Sequence, residues 1–114
     1  MSWWISLRDS QGDYLETDTI CCEGGTQVVG GTSEAVLNVT YNYGKHFCFP
    51  KLQGLTAIEA KPILSEAIKQ LKDDTDEDYW KATEGNAKRA IQTLLDFCEF
   101  AIRTNRTDAK FVVN

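Results

Sequence analysis

A chain of 114 residues with 42% hydrophobic and 25% charged residues has the length and composition of one soluble domain, with enough apolar material for a core without disulfide staples. Its apolar runs are too short to span a bilayer, and Met-Ser-Trp-Trp lacks the basic start and apolar stretch of a secretory signal, so a cytoplasmic location is expected. The net charge of −5, with twelve scattered basic residues, argues against direct nucleic-acid binding, which draws its affinity from clustered Lys and Arg.

Trp3 to Arg8 is rich in strand formers. Alternation places Trp3, Ile5 and Leu7 on one face and Trp4, Ser6 and Arg8 on the other. One member of the Trp3-Trp4 pair must therefore leave the core face. Asp9 to Asp13 is turn chemistry, so Tyr14 to Thr19 is predicted to return as a hairpin partner. Gly24-Gly25 and Gly30-Gly31 bracket a short strand, Thr26 to Val29. The next strand runs from Ala35 to Tyr41, with Ala35, Leu37, Val39 and Tyr41 on one side and a mostly polar opposite side. These patterns predict an antiparallel sheet with one buried and one partly solvated face.

The second half changes period. Thr56 and Glu59 have capping-box spacing, and Pro62 suits the first turn of a helix better than its middle. The prediction is a helical turn near Ala57 and a main helix from Pro62 to Lys72, burying Ile63, Leu64, Ala67, Ile68 and Leu71. Ala87, Ile91, Leu94, Leu95, Cys98 and Ile102 define one face of a final helix, opposite Lys88, Arg89, Gln92, Asp96 and Glu99. Ala109 to Val113 is β-prone and suits an added strand. The expected class is α+β: an antiparallel sheet of about four strands, packed on one face by two to three helices. It is read as a single compact domain over 1–114, β-rich to residue 44 and helical from 56 to 104.

Two segments carry recognition chemistry. Asn38, Thr40, Tyr41, Asn42 and Tyr43 bring amide, hydroxyl and phenol groups together at the end of a strand. Asp78, Tyr79, Trp80, Thr83 and Asn86 do the same before the last helix. Such groups bind by hydrogen bonding and stacking but are poor at proton transfer or nucleophilic attack, so a binding protein is expected and no enzyme. The plain alternative is that the asparagines satisfy backbone groups, that Thr83 is an N-cap and that Tyr79 and Trp80 anchor the core. Gly85, early in a helix, costs about 1 kcal/mol against alanine, which favours a position where backbone approaches something closely.

Other chemistries fit less well. Cys21, Cys22, His46 and Cys48 are soft metal ligands, but neither C-C nor H-x-C has the spacing of a structural zinc site. No metal or cofactor is expected. His46 beside Cys48 lacks an orienting group for thiol catalysis. The glycines at 24–31 precede no helix start that would make a phosphate cradle. The acidic run Asp73, Asp74, Asp76, Glu77 and Asp78 reads first as a solvated linker favouring the next helix through its dipole. Its sharper reading is a mimic of phosphate backbone offered to a basic partner.

G-G-T-S-E-A-V-L-N-V-T-Y-N-Y-G at residues 30–44 and D-Y-W-K-A-T-E-G-N-A-K-R-A at residues 78–90 resemble a family of short bacteriophage and prophage accessory proteins. The likeness spans roughly residues 30 to 95 and offers no catalytic residues to carry over. It implies a phage protein in the host cytoplasm that inhibits bacterial immunity without catalysis, by binding a host defence protein as an anti-CRISPR-like blocker does. Two alternatives accompany it: a sponge that sequesters a nucleotide immune signal, with its pocket at a homo-oligomer interface, and a phage housekeeping or structural protein.

Overall fold

The computed structural model describes residues 2–17, 26–28, 31–38, 49–74 and 84–114. Its elements, in chain order, are β1 (Ser2–Arg8), β2 (Thr26–Val28), β3 (Glu34–Asn38), a 3-10 turn (Phe49–Leu52), α1 (Ala57–Gln70), α2 (Glu84–Arg103) and β4 (Lys110–Val113). The sheet is antiparallel in the order β2-β3-β1-β4, with β1, β3 and β4 as its longer strands and β2 only three residues. The class is α+β.

Alternation in β1 sets the two faces. Ile5 and Leu7 are fully buried, Trp3 packs edge-on against Phe49 with ring centroids 5.7 Å apart, and Trp4 is 51% exposed. Register places Ile5 opposite Ala35 and Val113, and Leu7 opposite Phe111, so the buried positions of three strands line one face. The two helices pack against each other and close a single core with that face.

Several local predictions are revised. Of the predicted hairpin partner Tyr14 to Thr19, residues 18–19 lie outside the described residues, and residues 14–17 form isolated bridges in place of a continuous strand: Tyr14 bridges Arg8, Glu16 bridges Thr32, and Thr17 N–H donates to Gly31. Ser33 is fully buried beside this segment, and its Oγ accepts from Leu15 N–H and donates to the Leu7 carbonyl. This hydroxyl seats the segment across the end of the sheet. The third strand is assigned only from Glu34 to Asn38, and residues 39–41 of its predicted extent lie outside the described residues.

The first long helix begins at Ala57, not Pro62. Thr56 Oγ1 accepts from Glu59 N–H, while the Glu59 carboxylate accepts from Thr56 N–H, forming the full capping box. Pro62 then falls inside the helix, where it removes one backbone donor. Both Pro62 and Ile58 are exposed, so the carbonyl that loses its donor belongs to a residue on the solvent side. The earlier start adds Ala57 and Ala60 to the predicted Leu64, Ala67 and Leu71, so the buried stripe runs at intervals of three and four with Ile68 partly buried beside it. Ile63 lies off that stripe and is 39% exposed, contrary to the predicted core.

The second helix follows its predicted face and widens it. Ala90, Phe97 and Ala101 are buried with Ala87, Ile91, Leu94, Leu95 and Cys98. It ends in a Schellman arrangement: Asn105 takes φ 60°, its N–H donates to Ile102, and Arg106 N–H donates to Ala101. The connection returns the chain to β4, the added strand expected of the tail, and the structure pairs it with β1. The other edge of β4 is covered by residues 53–56. Gly54 N–H donates to Phe111, Phe111 N–H to Leu55, and Val113 N–H to Gln53 Oε1. Gly54 sits at φ +81°, a conformation open to glycine at little cost.

Candidate functional site

The two recognition segments are attached at defined places. Asn38 is the last residue of β3, paired with Ser2 at the start of β1, and Asn86 lies in the first turn of α2. β3 is hydrogen-bonded to β2, and α2 touches β2. The side chains of Asn38 and Asn86, and all of Thr40, Tyr41, Asn42, Tyr43, Asp76, Glu77, Asp78, Tyr79, Trp80 and Thr83, lie outside the described residues. So do Cys21, Cys22, His46 and Cys48.

Asp73 and Asp74 are described, and both serve α2. Asp74 Oδ1 accepts from Gly85 N–H at 2.9 Å, and the Lys88 ammonium pairs with Asp73. The first turn of a helix leaves backbone donors without intrahelical acceptors, and a carboxylate there also opposes the helix dipole. Asp74 therefore caps α2 from eleven residues upstream, in line with the plain reading of the acidic run for this member. Gly85 is buried, and the group its backbone approaches is this carboxylate. The Asp73–Lys88 pair has its carboxylate 88% exposed, and an ion pair so open to water contributes little stability.

Cys98 is the one described cysteine. Burial within the core of α2 pushes its thiol up to about 12, with the Glu99 charge adding to the rise and Lys61 opposing it. A thiol so held stays protonated and unreactive, which fits the predicted core role. Among the described residues no group of three metal-ligating side chains converges, and no helix is long and apolar enough to cross a membrane.

The outer face of the sheet is a second surface, made from residues whose alternation was legible but whose grouping was not. Trp4 stands beside Val36 on β3, and Ser6 lies between Glu34 on β3 and Val112 on β4. Farther along β1, the Arg8 guanidinium lies 4.8 Å from the centre of the Tyr14 ring, donates to the Tyr14 hydroxyl at 3.2 Å and to Ser6 Oγ at 3.0 Å. This arrangement joins the turn to β1 through a cation–aromatic contact.

The α+β fold defines a broad class of protein. No family model matches the chain, and no curated protein or solved structure matches it.

Proposed function

We propose that this chain is a phage-encoded, non-enzymatic inhibitor that acts by binding a host defence protein. The observation that carries the reading is the attachment of its two recognition segments. The Asn38–Tyr43 segment leaves the end of β3, the Asp78–Asn86 segment enters α2, and α2 touches the strand hydrogen-bonded to β3. Tyr41, Tyr43, Tyr79 and Trp80 supply apolar, stackable area, and the amides supply directional hydrogen bonds. That combination is typical of interface anchors.

The net charge of −5 suits a basic partner, since complementary charge raises the encounter rate and discourages wrong partners. Asp73 and Asp74 serve the α2 terminus, so the acidic contribution to binding is assigned to Asp76, Glu77 and Asp78. The test is affinity capture from phage-infected host lysate. The wild type is expected to retain a basic host protein in a salt-sensitive manner. The Asp76→Asn, Glu77→Gln, Asp78→Asn variant should retain much less. Equal retention by the two proteins overturns the acidic-contact assignment. A nucleotide recovered intact from the denatured complex, with no retained protein, replaces the blocker reading with the sponge.

A further inference from the structure

We propose that the outer face of the sheet is a receptor for an arginine side chain of a basic protein partner, with the guanidinium stacked on Trp4 and paired with Glu34. The inference rests on the binding reading above for its partner, but its two contact residues, Trp4 of β1 and Glu34 of β3, belong to neither recognition segment.

Three observations on this face point the same way. Trp4 is 51% exposed at the start of β1, so its ring is open to a guest. The register pairs Trp4 with Val36 and Ser6 with Glu34, which makes Glu34 the diagonal neighbour of Trp4 on the same face. Diagonal neighbours in an antiparallel pair lie about 7–8 Å apart at the backbone, within reach of long side chains. A planar cation lying on the indole can therefore meet the carboxylate at its edge. The face also holds an internal example of the same chemistry, because Arg8 lies on Tyr14.

Arg8 does not take the proposed place itself. Its guanidinium is directed to the Tyr14 ring, the Tyr14 hydroxyl and Ser6, and among the described residues it makes no ion pair with Glu34. The half-buried Val36 and Val112 flank the position and would shield the methylene stem of a guest. Arginine suits the site better than lysine because its guanidinium is flat, stacks on an aromatic face and still presents N–H groups to a carboxylate. A carboxylate beside the open ring, in a chain of net charge −5, selects a cation over an anion.

The experiment titrates acetyl-Gly-Arg-Gly-amide into the isotope-labelled full chain and follows amide and indole resonances. The same peptide with citrulline in place of arginine is the uncharged, isosteric control. Binding is expected to move the Trp4 indole and the β1 and β3 amides, and the citrulline peptide should bind roughly two- to fivefold more weakly. Trp4→Leu keeps a strand-compatible apolar residue and should abolish the response, while Glu34→Gln should weaken it by a similar two- to fivefold factor.

Equal binding of the arginine and citrulline peptides overturns the proposal. So does a response unchanged in both variants, or one confined to residues off this face. Lysate capture separates this result from the broader function. If the wild type and both variants retain the same host protein equally and the peptide gives no response, the arginine site fails and the blocker reading stands. If the peptide response is lost in Trp4→Leu and no host protein is retained, the site stands and the blocker reading fails.

Discussion

Ser33→Ala removes a hydroxyl that joins three parts of the chain. Ser33 is fully buried, accepts from Leu15 N–H at 2.9 Å and donates to the Leu7 carbonyl. Leu15 is 1% exposed, so its N–H has no ready access to water after the substitution. A buried donor left unsatisfied costs about 1–3 kcal/mol. The Leu7 carbonyl loses one donor as well, adding about 0.5–1.5 kcal/mol. The expected destabilisation is about 2–4 kcal/mol, a large part of the roughly 6–17 kcal/mol typical for a chain of this length. In urea, with a mid-range slope of about 2 kcal/mol per molar, the midpoint should fall by roughly 1–2 M. Ser10→Ala, at an exposed turn position, is the control and should stay within about 0.5 kcal/mol of wild type. A Ser33→Ala midpoint matching that control would refute the bridging role.

Leu64→Ala should cost about 2–5 kcal/mol, whereas Ile63→Ala should cost under about 1 kcal/mol, because only Leu64 lies on the buried stripe; chemical denaturation of both variants decides it. Asp74→Ala removes the acceptor at Gly85 N–H and should destabilise the chain by about 0.5–2 kcal/mol, with amide exchange at the start of α2 accelerated; unchanged exchange there contradicts the capping role. Cys98 should resist thiol reagents at pH 8 until the chain unfolds, as timed by reagent absorbance in native and denaturing buffer. Its folded pKa of about 12 lies above its ordinary 9.0. Its stabilising contribution is therefore complete below pH 9 and is lost as pH rises from about 9 to 12, so thermal stability should fall across that alkaline interval.

The fold was legible where one local rule acted alone. Period-two alternation separated Trp3 from Trp4, the Thr56–Glu59 pair marked a capping box, and the spacing of Ala87 to Ile102 defined α2. The errors arose where two rules competed. Pro62 disfavours a helix interior, but the helix capped at Thr56, six residues earlier, runs on through it. Ile63 lies beside the stripe of Leu64, Ala67 and Leu71 and on its solvent side, a distinction the apolar pattern alone did not draw. Asp74 at Gly85, and Ser33 at Leu7 and Leu15, are pairings across 11 to 26 residues that no local pattern encodes. Asn105, with no capping role read from the sequence, ends α2 through its left-handed backbone. The recognition segments were legible as residue types. Their attachment to β3 and α2 required the topology, and the Trp4–Glu34 diagonal required the strand register.

The central claim is that Tyr41, Tyr43 and Trp80, with Asp76, Glu77 and Asp78, hold a host defence protein. Its most direct measurement is the protection that the chain gives a phage in a host carrying that defence system. Protection is compared between wild type and a Tyr41→Ala, Trp80→Ala variant shown by circular dichroism to be folded. The account predicts that the variant loses protection and no longer co-purifies with the host protein. Full protection by the folded variant would contradict it.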